Sequence, residues 1–143
     1  MYKPPKMEHN KMTKWNWMPQ YPEKIKIGDF VDIGAFSLLC GKNGIEIQDS
    51  VEIGSHSAIY SANTIKGVFG KVTLKQGCSL GSHCTVMPGV TIGEYAMVGA
   101  YSFVKCSIPS GELWCGIPAK FVRKLDVEWD YYKDTRWKDD LHK

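Results

Sequence analysis

The sequence lacks the features that mark several large classes of protein. Its five cysteines form no Cys-x-x-Cys pair, and their odd number argues against a disulfide framework. No apolar run approaches the roughly 20 residues of a membrane-spanning helix, and no apolar signal-peptide segment follows the first residues. Lys and Arg form no basic run, and a net charge of +3 is too small for a nucleic-acid footprint. We therefore expect one reduced, cytoplasmic domain with neither a membrane span nor a nucleic-acid partner.

What the sequence does contain is an aliphatic residue that returns every six positions. These anchor residues are Ile27, Ile33, Leu39, Ile47, Ile53, Ile59, Ile65, Leu74, Leu80, Val86, Ile92, Val98 and Val104. The period slips by two residues before Ile47 and by three before Leu74. Four positions after most anchors stands a small or β-branched residue: Val31, Ser37, Val51, Ser57, Cys78, Cys84, Val90, Ala96 and Ser102. We interpret the two cysteines of this set as small hydrophobic residues and not as nucleophiles.

A period of six excludes the usual elements, because a helix repeats near 3.6 and a half-buried strand alternates at 2. It predicts an all-β fold, a parallel β-helix in which three hexapeptides close one triangular coil. The anchor and the small residue point inward, and a glycine after the anchor avoids a Cβ clash near the bend. The anchors give about four coils. We place the β-helix at residues 25–109 with a loop at 66–73, an N-terminal cap at 1–24 and a C-terminal extension at 110–143.

Several strings resemble the hexapeptide-repeat acyltransferases, and most closely the sugar O- and N-acetyltransferases. The strings are Ile-Gly-Ser-His-Ser-Ala-Ile at 53–59, Met-Pro-Gly-Val-Thr-Ile-Gly at 87–93, Val-Gly-Ala-Tyr-Ser at 98–102 and Gly-Ile-Pro-Ala-Lys at 116–120. The resemblance implies a left-handed coil, although parallel crossovers in ordinary sheets are right-handed. It also implies a homotrimer that works without a metal. Acetyl-CoA would bind between subunits as co-substrate, and a sugar or nucleotide sugar would be the acceptor.

Two of the four histidines stand out, because His56 and His83 each lie three residues after an anchor in the string Gly-Ser-His. At that offset the side chain should leave the coil near a corner instead of entering the core. A neutral imidazole, with an ordinary pKa near 6.5, can accept a proton from an attacking hydroxyl or amine at neutral pH. The resemblance implies a histidine general base, and we hypothesise that it is His56, with His83 as the alternative.

The resemblance implies further site residues. Candidates for contact with acetyl-CoA are Ser82, Gly99, Ala100, Lys105, Lys120 and Arg123. The Ser82 N–H would stabilise the developing oxyanion, the two small residues would border the pantetheine arm, and the three cations would bind the phosphates. Where the family often has Thr-Lys, this chain has Lys-Cys at 105–106, which alters that contact. Candidates for hydrogen bonds to a sugar are Tyr60, Ser61 and Asn63.

Two other functions stay open at this point. A γ-class carbonic anhydrase shares the coil, but it needs three histidines around one metal with two of them closely spaced. Here His56 and His83 are 27 residues apart and no closely spaced histidine pair exists. A catalytically silent coil that serves as an assembly module is the other alternative. The two Gly-Ser-His strings and the cations that follow the repeat argue against it.

Overall fold

The computed structural model describes residues 3–126, in which the regular elements are short strands and one 3-10 turn. The strands before the interruption of the repeat are β1 (Met18–Gln20), β2 (Ile25–Ile27), β3 (Asp32–Ile33), β4 (Leu38–Cys40), β5 (Ile45–Ile47), β6 (Glu52–Ile53) and β7 (Ala58–Tyr60). The strands that follow are β8 (Ala62–Asn63), β9 (Val68–Phe69), β10 (Val72–Leu74), β11 (Ser79–Leu80), β12 (Thr85–Val86), β13 (Thr91–Ile92), β14 (Met97–Val98), β15 (Phe103–Val104), β16 (Glu112–Gly116) and β17 (Ala119–Lys124). A 3-10 turn, Pro22–Lys24, precedes β2. The last part of the predicted C-terminal extension, residues 127–143, lies outside the described residues.

The strands stack into three sheets that form the faces of a solenoid. Sheet A has the order β1-β4-β7-β12-β15, sheet B the order β2-β5-β10-β13, and sheet C the order β3-β6-β11-β14-β16-β17. Within these sheets the pairings are parallel except that of β16 with β17. Each coil supplies one strand to each sheet, so that β2 to β4, β5 to β7, β10 to β12 and β13 to β15 are successive coils. The predicted parallel β-helix of hexapeptide repeats is therefore confirmed, with the architecture of the left-handed β-helix.

The repeating residues form the core of the solenoid. Every anchor except Ile27 and Ile65 is buried, and so is every small residue four positions after an anchor. Anchors of successive coils lie over one another, as Ile33, Ile53 and Leu80 do in sheet C. Because a buried aliphatic side chain stabilises a fold by about 1.5–3 kcal/mol, these stacked columns explain why the hexad is kept along the chain.

The interruption between the second and third coils differs from the prediction. The spacing predicts Ile65 as an anchor, and this is wrong, because its side chain is 92% exposed at the tip of a hairpin formed by β8 and β9. The third coil begins instead at β10, where Val72 is buried and pairs with Ile45. Residues 72 and 73 therefore belong to the coil and not to the loop. Spacing alone cannot distinguish an anchor from an apolar residue that stands at the same interval on an inserted hairpin.

Both ends of the solenoid carry added strands. Strand β1 pairs with β4 and covers one end of sheet A, and Trp17, just before it, is 1% exposed. At the other end β16 adds to β14 in sheet C and β17 turns back along it. Within residues 3–126, no helix has the length and apolar character needed to cross a membrane.

Candidate active site

The two Gly-Ser-His strings occupy the same corner of the solenoid, between sheets C and A, in adjacent coils. The rings of His56 and His83 stack with their centroids 4.7 Å apart and an interplanar angle of 2°. Phe36 lies 5.3 Å from His56 on the N-terminal side, and Tyr101 lies 4.6 Å from His83 on the C-terminal side. We call these four side chains the ring column. Their spacing follows that of neighbouring strands, about 4.7–4.9 Å, so each coil contributes one ring.

The backbone of this corner explains why the rings point outward. All four residues of the ring column have a left-handed backbone, with φ between 59° and 64°. This conformation costs a residue with a side chain roughly 1–2 kcal/mol. Two backbone bonds hold the turns in place: the His56 amide donates to the Ala35 carbonyl at 3.0 Å, and the His83 amide donates to the Ser55 carbonyl at 2.9 Å. Both imidazoles are exposed.

A second column of side chains lies directly inside the corner. It consists of the residues that follow the four rings in sequence, Ser37, Ser57, Cys84 and Ser102, all of them buried. The Ser57 hydroxyl donates to the Gly81 carbonyl at 3.3 Å, and it accepts from the Cys84 amide at 3.3 Å. The Cys84 thiol in turn donates to the Gly99 carbonyl at 3.2 Å, and burial raises the pKa of that thiol. These bonds tie each corner to the next, so we call this set the inner ladder.

The glycines before the histidines permit close approach of the coils. A Cβ atom added to Gly54 would lie 2.4 Å from the Ser82 nitrogen, and one added to Gly81 would lie 2.6 Å from the Ala100 nitrogen. Neither glycine has a positive φ, so close backbone packing and not backbone conformation requires them. It follows that the Ser82 amide, the candidate oxyanion donor, lies under Gly54, which precedes His56 by two residues.

An open groove of about 440 Å³ runs along the outer face of sheet C, beside the ring column. Gly99 and Ala100 line it together with small and apolar residues of the other coils and the two carboxylates Asp32 and Glu52, and Ala100 directly precedes Tyr101 of the ring column. A Cβ atom on Gly99 would lie 2.8 Å from the Cβ atom of Cys115. Packing against β16 therefore requires glycine at position 99 independently of any ligand. The groove has the extended, mostly uncharged lining that suits a long flexible chain.

The three candidate cations are divided between two faces. Lys120 and Arg123 lie on β17, at one end of sheet C and of its groove, and both are exposed. The Arg123 guanidinium donates to the Lys124 carbonyl at 3.2 Å. Lys105 follows β15 of sheet A instead, so within one chain it does not share a face with the other two.

The candidate sugar contacts lie at the opposite edge of sheet A from the ring column. Tyr60 and Asn63 line a cleft of about 320 Å³ beside the hairpin, together with Met87. Ser61 is fully buried, and its hydroxyl donates to the Cys40 carbonyl at 2.6 Å and accepts from the Asn43 amide at 2.9 Å. The prediction that Ser61 contacts a sugar is therefore corrected: because Tyr60 faces outward, the next residue along the strand direction faces inward.

His56 and His83 are not arranged within one chain as ligands of a single metal ion. Within residues 3–126 no three His, Cys, Asp or Glu side chains are grouped so that they could hold a metal ion. His56 and His83 face each other with their ring planes. Zinc needs ring nitrogens that converge on it at about 2.0–2.1 Å, and parallel stacked rings direct their nitrogens side by side.

Comparison with known proteins supports the hexapeptide repeat found in the sequence. The family described as "Bacterial transferase hexapeptide (six repeats)" matches residues 71–106. "Gamma carbonic anhydrase 2, mitochondrial" of Arabidopsis thaliana is 40% identical over 84 residues, which are 57% of this chain and 27% of that protein. "UDP-3-O-acylglucosamine N-acyltransferase 2" of Rhodopseudomonas palustris (strain BisB18) is 30% identical over 104 residues, 71% of this chain and 28% of that protein. The chain thus spans little more than a quarter of the length of either relative.

A solved structure extends the likeness to about three quarters of the chain. The hexapeptide-repeat acetyltransferase VCA0836 of Vibrio cholerae O1 biovar eltor, in complex with acetyl-CoA, matches with a TM-score of 0.72 at 25% identity. The match covers 77% of this chain and 65% of that chain. Residues 71–106 therefore carry the repeats described by the bacterial transferase hexapeptide family, and the chain has the fold of hexapeptide-repeat acetyltransferases.

Proposed function

We propose that the protein is an acetyl-CoA-dependent acetyltransferase that modifies a hydroxyl or amine of a sugar or nucleotide sugar. The observation that carries the proposal is the exposed pair of imidazoles on one corner, beside the open groove of sheet C. The Vibrio structure with the same fold holds acetyl-CoA. The Rhodopseudomonas relative is named as an N-acyltransferase of a UDP-linked acylglucosamine.

In the proposed reaction His56 accepts the proton of the acceptor group while its oxygen or nitrogen attacks the acetyl carbonyl carbon. The new C–O or C–N bond forms, the C–S bond breaks, and the imidazolium returns the proton to the sulfur of CoA. Base catalysis of this kind typically contributes about 10²–10⁴-fold in rate. The Ser82 amide donates to the carbonyl oxygen as negative charge develops on it. No covalent enzyme intermediate is needed, because the thioester already activates the acetyl group.

The groove of sheet C is the proposed binding surface for the long arm of acetyl-CoA. Gly99 and Ala100 leave its floor low beside the ring column. Lys120 and Arg123 stand at the end of the same sheet, where a guanidinium and an ammonium suit phosphate oxygens. We assign these two cations to the phosphates. Lys105 would reach the same ligand only from a neighbouring subunit.

Sheet A is the proposed packing face between copies of the chain. The outward residues of its strands carry no charge: Met18, Leu38, Ala58, Thr85 and Phe103. Sheet B presents Lys26 and Glu46 at equivalent outward positions. An uncharged face costs the least desolvation free energy when two copies associate.

The placement of the candidate residues on sheet A favours a cyclic homotrimer. His56 lies at the edge shared with sheet C, and Tyr60 and Asn63 lie at the opposite edge, beside the hairpin. When copies associate head to tail and the ring closes, one edge of a subunit meets the other edge of its neighbour. In this arrangement His56 of one subunit and the cleft of the next would enclose one acceptor.

Two alternatives to an acetyltransferase predict different experimental outcomes. The likeness to the Arabidopsis protein suggests carbonic anhydrase activity as the first alternative, which would need three converging zinc ligands. A stoichiometric metal in the purified protein together with CO₂ hydration would support this alternative. A catalytically silent assembly module would bind no CoA in a calorimetric titration.

The direct test is the release of CoA from acetyl-CoA in the presence of amino sugars, neutral sugars and nucleotide sugars. We expect His56→Ala and His56→Asn to lower kcat at least about 100-fold, with little change in melting temperature because the ring is exposed. Asparagine tolerates the left-handed backbone, so His56→Asn removes the imidazole without added strain. Ser50→Asn, at the same turn position of the same coil on another corner, is the control. Full activity in both His56 variants would exclude His56 as the base.

A further inference from the structure

We propose that His83 is a positioning residue for His56, and that the ring column holds the base in one orientation. This inference rests on the proposed function. It assigns different roles to two histidines that are alike in sequence context. The assignment comes from how their rings are covered.

The faces of the two imidazoles are covered unequally. His83 lies between two nearly parallel rings, His56 at 4.7 Å and 2°, and Tyr101 at 4.6 Å and 7°. His56 is stacked closely only on its His83 side, because Phe36 is tilted by 39° at 5.3 Å. The orientation of His56 is therefore restrained chiefly by His83, and that of His83 by Tyr101.

The backbone corners from which the ring column projects are held rigidly. The inner ladder runs directly beneath it, so Ser57 and Cys84 fix the separation of the corners that carry the two histidines. An isolated imidazole on a surface would sample several rotamers. A general base must instead keep its nitrogen within about 2.6–3.2 Å of the proton that it accepts. A misplacement of about 1 Å can cost on the order of 100-fold in rate.

The covering of the rings, and not the oxyanion donor, separates the roles of the two imidazoles. The Ser82 amide packs under Gly54 of the second coil and directly precedes His83 in the third coil. A carbonyl oxygen held near this amide would therefore lie between the levels of the two histidines. Parallel rings cover both faces of His83, whereas His56 has the more open ring, which leaves His83 the role of support.

The test compares variants that remove the ring with one that keeps it. We expect His83→Ala to lower kcat about tenfold or more through loss of alignment. His83→Phe restores a flat ring without a proton-accepting nitrogen, and we expect it to recover most of that loss and to keep the acid limb of the pH–rate profile. Tyr101→Ala should give a smaller loss. Tyr95→Ala, with the same residue type and turn conformation at another corner of the same coil, should match the wild type.

A second readout does not depend on turnover. In NMR spectra of the free protein, the carbon-bound imidazole protons of His56 should move when His83→Ala removes the ring current, and should move back in His83→Phe. Unchanged His56 signals together with unchanged kcat in His83→Ala would overturn the proposal. So would a His83→Phe protein that keeps the stacked signals but is as inactive as His83→Ala, because His83 would then be the base. Absence of CoA release by the wild type with every acceptor would overturn the proposed function as well.

Discussion

At the scale of the residue, one position of the hexapeptide controls the outer corners. The third residue after an anchor has a positive φ in each regular repeat, whether it is His56, His83 or a glycine such as Gly77 and Gly89. Glycine adopts this conformation without cost, whereas a residue with a side chain pays roughly 1–2 kcal/mol. Strain of this kind is often retained at functional sites. Gly77 and Gly89 are therefore the signal in the sequence that His56 and His83, at the same position of the repeat, have a left-handed backbone.

The inward small-residue position leads to a prediction about alkaline pH. Cys78 is fully buried, and burial raises the pKa of its thiol from 9.0 to about 12. Above pH 9 the unfolded chain loses this proton while the folded chain keeps it, so the free energy of unfolding falls as pH rises toward 12. One such group contributes at most about 1.4 kcal/mol per pH unit. We expect Cys78→Val to reduce the decline, because valine fills the same position at Val31 and Val51.

The measurement is urea unfolding of wild type and variant near pH 8 and near pH 10.5. Cys106→Ser, at an exposed thiol, is the control and should follow the wild type. Parallel declines for wild type and Cys78→Val would show that this thiol does not contribute.

At the scale of the element, the coil tolerates an inserted hairpin without losing register. Beyond the hairpin, Leu74 still pairs with Ile47 and Thr73 with Glu46, so the third coil stacks directly on the second. The insertion exposes Ile65 but leaves the core columns continuous. Stacking of whole coils, and not the connection between them, therefore determines the fold.

Two glycines test this distinction between coil and hairpin. At Gly54 an added Cβ would meet backbone atoms of Ser82 and Gly81 within 2.5 Å, so we expect Gly54→Ala to cost about 3 kcal/mol or more. Gly67 lies in the hairpin with nothing within 4 Å and a φ of 65°, so Gly67→Ala should cost only about 1–2 kcal/mol from backbone strain. Denaturant unfolding measures both. Equal losses would mean that the coils separate easily, which would contradict the close packing.

At the scale of the whole molecule, the three faces of the solenoid differ in chemistry. Sheet C carries the groove with the carboxylates Asp32 and Glu52, sheet B presents Lys26 and Glu46, and the strands of sheet A present no charged residue and have the ring column along one edge. This difference in chemistry between the faces supports the proposed site shared between subunits. A monomer would leave the uncharged face open and would keep His56 apart from the cleft of Tyr60 and Asn63.

The matched pair Thr85 and Thr91 tests the packing face. Both are half-buried outward threonines in two-residue strands, but Thr85 lies in sheet A and Thr91 in sheet B. We expect Thr85→Arg to convert a trimer to a monomer and to abolish transfer, because an arginine would be buried without a partner. Thr91→Arg should change neither property. Light scattering after size-exclusion chromatography gives the mass, and a trimeric, active Thr85→Arg protein would contradict the proposal.

The spacing by sixes was sufficient to predict the solenoid, its coils and its inward columns, because the interior of a narrow coil accepts only aliphatic and small side chains at fixed intervals. It also predicted that His56 and His83 leave the coil. It could not predict that they stack, since their separation of 27 residues corresponds to one coil only when the hairpin is known to lie outside it. The exposure of Ile65 was hidden for the same reason. The tertiary structure decided these points, because the register between coils depends on how many residues an insertion takes up, and this appears only when the coils are stacked.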